Sequence, residues 1–344
     1  MKILVIGPEW FYPITEFVSQ AFQFYKNEVK HIYYQYTPTE RKSYYIRKLK
    51  QIKLYDSLKN IIESKSDKEI FKINNENILK EVKNNKYDLI FIIRGNYIHS
   101  ETIKEIKLIN HLIKIYIWFV DDPFIMWLGG NNRKLFNESI NAIKYFDKIF
   151  VFDDYFVDGI KYRFNNETYY LPLAFDEQLY KKKDVNKDYN ISFIGSENNE
   201  RYEYLKILED FGLVLFGGNW RDLNKYKLGD VIPVEKSNEI YNKSLVNFNL
   251  HTNQTVYGSN TRTFEVPGSG NFLITDYRKS LEKNFELDKE IVCYKSKEEL
   301  LEKIRFLLNN KKCIFEIAAA GYKRAISEHS YKHRIKTVLE AGKF

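Results

Sequence analysis

Arg262 and Glu265 stand three positions apart in the stretch SNTRTFEVPGSGNFLITD, which covers residues 259–276. An arginine guanidinium donates charge-assisted hydrogen bonds to phosphate oxygens. An ionised glutamate accepts hydrogen bonds from hydroxyls such as those of a ribose. Positions i and i+3 of a helix share one face, so the two side chains could hold the phosphate and the ribose of one nucleotide. The alternative is an ordinary Arg–Glu helix pair, which stabilises a helix by only about 0.2–0.5 kcal/mol.

The residues around this pair predict a short helix that begins at Thr261. Ser259 or Asn260 provides the kind of side chain that caps a helix N-terminus, and Pro267 limits the length of the helix. The N–H groups and the dipole at such an N-terminus favour a phosphate. We therefore expect the backbone amides near Asn260 and Thr261, together with Arg262, to contact a diphosphate.

Two more strand ends in this half of the chain carry small residues. FIGSENNER places Gly195 and Ser196 at the end of a strand-like run, with Arg201 in the helix that follows. LFGGNW places Gly217 and Gly218 at the end of the next run. Glycine is common in such turns, so each turn alone is weak evidence. Three strand ends with room for a ligand in one domain together predict a nucleotide diphosphate site.

The first half has a different loop after its first strand. GPEWFYP contains one glycine, Gly7, followed by bulky aromatics, whereas a dinucleotide loop needs several glycines beside the pyrophosphate. This argues against NAD or FAD and favours a sugar or another acceptor; the alternative is that the aromatics pack on the neighbouring domain. The candidates for a general base on an acceptor hydroxyl are Asp121, Asp122, Glu9 and His99. The alternatives are a cap or turn role for the aspartates and a surface or capping role for the histidine.

Strand-like apolar runs alternate with helix-like segments through both halves, which predicts α/β domains with parallel sheets. The runs lie at 2–7, 29–36, 88–94, 114–120 and 148–153, and then at 190–195, 213–217, 244–250, 271–275 and 290–294. We expect two Rossmann-like domains that face each other across a cleft, with residues 1–172 binding the acceptor and residues 173–328 the nucleotide. Residues 329–344 are expected to form a terminal helix that crosses back to the first domain.

The composition excludes several other classes of protein. The chain has 344 residues, 44% of them hydrophobic, and a formal net charge of +8 with acids and bases mixed along its length. This favours mild affinity for anions and not nucleic-acid binding. Two cysteines are too few for a disulfide framework, and neither a signal peptide nor the ~18 apolar residues of a spanning helix are found, so we expect a cytoplasmic protein. The basic amphipathic stretch 41–55 could contact a membrane surface, but a solvated helix face is the interpretation we favour.

The C-terminal segments resemble the glycosyltransferase family that includes the CgeB-like spore-maturation proteins. The family pattern R-x-F-E-x-x-x-x-G is matched by RTFEVPGSG, and its terminal pattern G-x-x-R…H-(S/T)-Y-x-x-R is matched within GYKRAISEHSYKHR. The matching residues, which include a Tyr-Ser step from strand to helix, are Arg262, Phe264, Glu265, Gly270, Tyr294, Ser296, Gly321, Arg324, His329, Tyr331 and Arg334. The resemblance is firm from residue 190 to residue 340 and looser before that, where WFVDDPF also resembles a family segment.

The resemblance implies the GT-B fold, with a nucleotide sugar in the C-terminal domain and the acceptor in the N-terminal one. The resemblance implies that Glu265 binds the ribose and that Arg262 and the amides near Asn260 bind the diphosphate. It implies that Gly195 and Ser196 form part of the wall of the cleft. UDP is the expected nucleotide, and the acceptor is expected to be a glycan, a protein or a lipid-linked molecule. No tightly bound cofactor is expected. No metal is expected either, because no two aspartates form an Asp-x-Asp motif.

The chain departs from related retaining enzymes at Tyr257. Those enzymes often carry a second glutamate eight residues before the first, so their donor-sugar contacts and stereochemistry do not transfer to this chain. We interpret the sequence as a metal-independent glycosyltransferase that uses a nucleotide diphosphate sugar. The alternatives are a non-catalytic glycosyltransferase-like assembly module and a GT-B sugar-nucleotide epimerase. The oligomeric state is not predicted.

Overall fold

The computed structural model describes residues 1–9, 13–34, 67–95, 97–123, 140–230, 232–252 and 255–344. The basic stretch 41–55, considered above for membrane contact, lies outside these ranges. Residues 10–12, the aromatics of the GPEWFYP loop, lie outside them as well.

Two compact units make up the described chain. The first comprises Met1–Val151 and Phe156–Tyr170, and the second comprises Phe152–Tyr155 and Leu171–Phe344. The terminal segment 329–344 belongs to the second unit, and its crossing to the first domain stays a prediction. Arg334 in this segment ties it to the second unit, because its guanidinium donates hydrogen bonds to the carbonyls of Pro172 and Leu173.

A six-stranded parallel sheet forms the first unit. Its strands are β1 (Lys2–Pro8), β2 (Glu28–Tyr34), β3 (Leu89–Ile93), β4 (Lys114–Phe119), β5 (Lys148–Val151) and β6 (Thr168–Tyr170). The accompanying helices are α1 (Ile14–Phe24), α2 (Asp67–Asn84), α3 (Ser100–Ile109) and α4 (Tyr155–Phe164), with a 3₁₀ turn at Ile143–Tyr145. The strands lie in the order β2-β1-β3-β4-β5-β6. All five residues of β3 are 0% exposed, as expected where a parallel sheet is covered on both faces.

A second six-stranded parallel sheet forms the second unit. Its strands are β7 (Tyr189–Ile194), β8 (Leu213–Phe216), β9 (Lys227–Gly229), β10 (Ser244–Asn249), β11 (Leu273–Asp276) and β12 (Val292–Tyr294). Its helices are α5 (Asn199–Lys206), α6 (Val234–Lys243), α7 (Arg262–Gly268), α8 (Leu281–Asn284), α9 (Lys297–Asn309), α10 (Lys311–Glu328) and α11 (Tyr331–Gly342), with 3₁₀ turns at Glu209–Phe211 and Arg221–Tyr226. The strand order is β12-β11-β10-β7-β8-β9.

The prediction of two α/β domains with parallel sheets is confirmed. The short strand β9 was missed, because its three residues Lys227–Gly229 form no apolar run. Gly321 lies inside α10. The terminal helices are interrupted at His329, where α10 ends and α11 begins two residues later.

Aromatic side chains fill the core of the second unit behind the ends of its strands. Phe193 on β7 packs edge-on against Trp220 with a ring-centroid distance of 5.6 Å. Phe248 on β10 stacks on Tyr294 of β12 with a centroid distance of 5.8 Å. All four rings are buried, so they contribute large buried apolar areas and fix the strands whose ends carry the predicted site.

The terminal HSYKHR segment has a structural role in the second unit. Arg334 is buried, and its guanidinium donates to the carbonyls of Pro172, Leu173 and Glu328 and to Nδ1 of His329. The other imidazole nitrogen of His329, Nε2, lies 2.7 Å from the carbonyl oxygen of Asn284 and donates to it. These contacts fix a neutral imidazole between an arginine donor and a backbone acceptor.

We expect Gly321→Ala to destabilise the protein by about 2 kcal/mol, since a buried methyl group without space forces the backbone to shift. A Cβ at Gly321 would lie 2.2 Å from the carbonyl oxygen of Glu290. Gly159 in α4 is the matched control, because a Cβ there meets no heavy atom within 4 Å. Gly159→Ala should leave stability unchanged or raise it by up to about 1 kcal/mol. Denaturant midpoints compare the two variants, and equal midpoints would contradict the expectation.

Candidate functional site

The carboxyl ends of β7 and β10 lie side by side where the strand order of the second sheet reverses. In open α/β sheets this point opens a crevice in which ligands bind. Arg201 on α5 is 7% exposed there. Its Nη1 donates to the carbonyl oxygen of Ser196 at 3.0 Å, and its Nη2 donates to that of Leu250 at 3.1 Å. Two predicted site residues, Ser196 and Arg201, are thus brought together, and Arg201 joins the two strand ends.

Positive charge is concentrated at this edge of the sheet. Burial first, and then the positive charge of Arg262, lowers the pKa of Arg201 to about 10, against the opposing charges of Asp276 and Glu200. The charge of Arg262 thus acts unfavourably on that of Arg201. An anion bound beside them would relieve this repulsion and be held by both charges.

The predicted glycines at the ends of β7 and β8 bring two stretches of backbone into close contact. Gly217 has φ +92°, and a Cβ there would lie 2.6 Å from the carbonyl oxygen of Gly195. Gly218 also has a positive φ, +51°, and lies against the backbone of Ser196. We attributed these glycines to space for a ligand; the structure adds a packing reason that holds whether or not a ligand binds.

Helix α7 begins at Arg262, one residue later than predicted. Its N-cap is Thr261, and no side chain caps the helix, so the expected cap by Ser259 or Asn260 is wrong. The physical reason is a competing pair of hydrogen bonds: the amides of Asn260 and Asn249 bond to each other at 3.0 and 3.1 Å. Because Asn249 ends β10, this pair ties the start of α7 to the end of the strand.

Arg262 and Glu265 occupy different environments on α7. Arg262 is partly exposed, whereas Glu265 is only 3% exposed. Oε2 of Glu265 accepts a hydrogen bond from the hydroxyl of Tyr241 on α6 at 3.0 Å. The carboxylate is therefore held by a neighbouring helix, and its assignment to a ribose stays a prediction.

A buried histidine–aspartate pair lies beside these residues and was missed in part. The side chain of His251 is fully buried, its backbone N–H donates to Oδ1 of Asp276 at 2.9 Å, and its Nδ1 lies 2.6 Å from the same oxygen. Burial would raise the pKa of Asp276, but His251 and then Arg278 lower it to about 2. The sequence signal for Asp276 was its position directly after the apolar run of β11, the same signal that singled out Asp121.

The loop that leads into α7 is held by Asp153, which belongs to the second unit. This carboxylate is fully buried and accepts hydrogen bonds from the backbone N–H groups of Val256 at 2.9 Å and Tyr257 at 3.0 Å. It also accepts from the N–H of Tyr155, the first residue of α4, at 3.0 Å. A Cβ at Gly258 would lie 2.8 Å from Cβ of Asp153. The loop is thus held in part by one buried aspartate, and Arg278 and Ser280 donate to the carbonyls of Thr255 and Tyr257.

A cavity of about 270 Å³ opens at the carboxyl ends of β10, β11 and β12. It is lined by Glu200, Tyr204, Leu250, Asp276, Tyr277, Arg278, Tyr294 and Lys295. Leu250 and Asp276 connect this cavity to Arg201 and to the His251 pair described above. The concave part of the second unit therefore extends along the carboxyl edge of its sheet.

The predicted general bases lie in the first unit, at or after the ends of its strands. Oδ2 of Asp121 is 3.2 Å from Nε of Arg94, a residue that we did not single out. Arg94 is 7% exposed and has φ +67°, a conformation that costs energy for a residue other than glycine. Asp122 is 8% exposed. Their catalytic roles stay predictions.

Glu9 and His99 complete the set of predicted bases. The N–H of Glu9 donates to the carbonyl of Tyr34 at 3.4 Å, and the Glu9 side chain is exposed. The imidazole of His99 lies against the ring of Phe71 with a centroid distance of 4.7 Å. His99 occupies the N-cap position of α3 without a capping side-chain bond.

The described ranges contain neither a metal-binding cluster nor a membrane-spanning helix. No group of three or more His, Cys, Asp or Glu side chains there is arranged to hold a metal ion. No helix within the same ranges has both the length and the apolar character needed to cross a membrane.

Comparison with known proteins gives a family match and several structural matches. Residues 201–340 match the family described as glycosyl transferase-like. No curated protein matches the sequence.

Three solved structures illustrate the structural similarity. Sucrose-phosphate synthase from Thermosynechococcus elongatus has a TM-score of 0.68 at 10% identity, with 100% of this chain and 98% of that chain covered. HepE from Anabaena in complex with UDP-glucose has a TM-score of 0.64 at 10% identity, with coverages of 100% and 99%. A putative UDP-N-acetylglucosamine 2-epimerase from Listeria monocytogenes has a TM-score of 0.58 at 14% identity, with coverages of 99% and 95%.

At these identities the structural matches establish the fold, and they do so over the whole chain. The matched family segment begins at Arg201 and contains α7, the His251–Asp276 pair and the terminal HSYKHR segment. The chain therefore has the GT-B fold, and its residues 201–340 match the glycosyl transferase-like family.

Proposed function

We propose that the protein is a glycosyltransferase that moves a sugar from a UDP-sugar to an acceptor. The observation that carries this proposal is the position of the buried Arg201, whose guanidinium donates to the carbonyls of Ser196 and Leu250 beside the glycine-containing ends of β7 and β8. Burial first, and then the positive charge of Arg262 acting on this guanidinium, lowers its pKa. The family match of residues 201–340 supports the reaction class. UDP is proposed as the nucleotide because HepE, which shares the fold, is solved with UDP-glucose.

In the proposed site the donor nucleotide lies at the carboxyl edge of the second sheet. Arg262 contacts the diphosphate, Arg201 adds positive charge and holds the strand ends, and Glu265 accepts hydrogen bonds from the ribose hydroxyls. When the bond from the anomeric carbon to the diphosphate breaks, the bonding electrons leave with UDP. The two guanidinium groups stabilise the charge that develops there, and this is why we propose a reaction that needs no divalent metal.

The acceptor hydroxyl forms the new bond and loses its proton. We propose that one of the first-unit carboxylates or the imidazole takes this proton; the candidates stay Asp122, Asp121, Glu9 and His99. The acceptor is proposed to be a glycan, a protein or a lipid-linked molecule.

Thermal unfolding with added nucleotide tests the proposal. A ligand present at 100 times its Kd stabilises the folded protein by about 2.7 kcal/mol, so UDP and UDP-glucose should raise the Tm in EDTA as well as in Mg²⁺. We expect Glu265→Ala to abolish this increase. The control is Glu302→Ala, which removes an exposed carboxylate from α9 and should retain it. A Tm that no nucleotide raises would refute the proposal.

Product analysis separates the reaction from its two alternatives. A glycosyltransferase releases UDP from the donor and adds the sugar to an acceptor or to water. An epimerase converts a free sugar nucleotide into its epimer without an acceptor. A non-catalytic module binds the nucleotide and leaves the donor intact.

A further inference from the structure

The carboxylate of Glu265 lies against two buried tyrosines. Tyr241 on α6 is 3% exposed and Tyr180 is 2% exposed. Their rings stack with a centroid distance of 6.1 Å and an interplanar angle of 24°. The hydroxyl of Tyr241 donates to Oε2 of Glu265 at 3.0 Å, and that of Tyr180 lies 3.2 Å from Oγ of Ser237. Glu265 is therefore placed by side chains outside its own helix.

The direction of this hydrogen bond follows from the charges around it. Burial first, and then the negative charge of Glu265, raises the pKa of Tyr241 well above its ordinary value, while the charge of Arg262 opposes the shift. The phenol thus stays protonated and donates, and the carboxylate stays the acceptor. A neutral donor on Oε2 stabilises the ionised carboxylate in the interior, where an unsupported charge would be costly.

We infer that Tyr241 is a positioning residue that orients Glu265 toward the ribose, an inference that rests on the proposed function. The oriented carboxylate makes the site select ribonucleotides over 2′-deoxyribonucleotides. A carboxylate fixed by a buried hydroxyl has a restricted orientation for its remaining hydrogen bonds. A ligand that lacks the 2′-hydroxyl makes one hydrogen bond fewer to this carboxylate. Sites that hydrogen-bond a ligand hydroxyl discriminate strongly against the analogue lacking it for this reason.

Calorimetric titration of wild type and Tyr241→Phe with UDP and with 2′-deoxy-UDP tests the inference. For the wild type we expect UDP to bind at least about tenfold more tightly than 2′-deoxy-UDP. For Tyr241→Phe, which removes one oxygen and keeps the ring, we expect the ratio to fall below about threefold, through weaker binding of UDP alone. A purely structural role would weaken both ligands equally and leave the ratio unchanged.

Tyr202→Phe is the matched control, because its hydroxyl also donates to a carboxylate of the second unit, Asp222, at 2.8 Å. It should keep the wild-type ratio. If Tyr241→Phe does not fold, Glu265→Gln replaces it in the same titration and should also lose the preference.

The outcomes separate this inference from the proposed function. If the wild type binds UDP and neither Tyr241→Phe nor Glu265→Gln changes the ratio of the affinities for UDP and 2′-deoxy-UDP, the role of Tyr241 is overturned. The glycosyltransferase proposal then stands. Absence of UDP binding to the wild type overturns both.

Discussion

Arg262→Met should lower kcat/KM for transfer from UDP-glucose by about 100- to 1,000-fold, the loss that follows removal of one donor to a developing negative charge. Arg262 is the partly exposed member of the arginine pair, whereas the guanidinium of Arg201 is already bonded to two backbone carbonyls. The exchange keeps an unbranched apolar stem and removes the charged guanidinium. Arg262→Lys keeps the charge without the planar pair of donors, and it should give an intermediate loss.

Arg305→Met is the control for the change in net charge. Arg305 lies on α9 of the same unit and is exposed, so its exchange should leave kcat/KM within about twofold of the wild type. Steady-state release of UDP measures all four proteins. An Arg262→Met enzyme as active as the wild type would exclude Arg262 from the diphosphate site.

The protein should lose about 2 kcal/mol of stability between pH 6.5 and pH 4.5 through His329. Burial first, and then the charge of Arg334, lowers the pKa of His329 from 6.5 to about 3. Within this window His329 becomes protonated in the unfolded chain but stays neutral in the folded one. Each unit of falling pH therefore lowers the free energy of unfolding by up to about 1.4 kcal/mol. The stability that depends on a neutral His329 is fully present above pH 6.5 and is lost as the pH falls toward 3.

His329→Gln should flatten this part of the pH profile, because a glutamine amide offers one donor group and one acceptor without titrating. Denaturant midpoints at pH 7.5 and pH 4.5 measure the difference in slope between the two proteins, which cancels the contributions of other groups. The pKa of His333 is lowered as well, by burial first, and it stays in both proteins. His31→Gln changes an exposed histidine and should keep the wild-type slope; equal slopes in wild type and His329→Gln would contradict the assignment.

The alternation of apolar runs predicted the architecture because a parallel sheet buried on both faces demands continuous apolar strands. Runs such as 88–94 and 190–195 therefore marked β3 and β7 closely. The edge strand β9 could not be predicted in this way, because its three residues are not required to be continuously apolar. Local spacing also cannot explain Gly321, because the group that leaves no room for a side chain there is the carbonyl oxygen of Glu290, far away in sequence.

The site was predictable to the extent that it follows from strand ends. Gly195, Ser196 and Arg201 could be placed together in this way, because residues after neighbouring parallel strands share one edge. Contacts made across the fold could not be read from local spacing. The pairing of Asn260 with Asn249 displaced the expected helix cap, and the hydroxyl of Tyr241 reached Glu265 from another helix.

The loop before α7 in the second unit depends on Asp153, a residue from a distant part of the chain. Asp153 lies 103 positions before Val256, whose N–H it accepts, and outside the continuous stretch Leu171–Phe344. A fragment cut at the sequence boundary of residue 173 would contain every residue of α7 and yet lack the carboxylate that shapes the loop before it. The amides of Val256 and Tyr257 would then lose their acceptor. A single cut that keeps the whole second unit must therefore fall before Phe152, and the fragment then also carries residues 156–170 of the first unit.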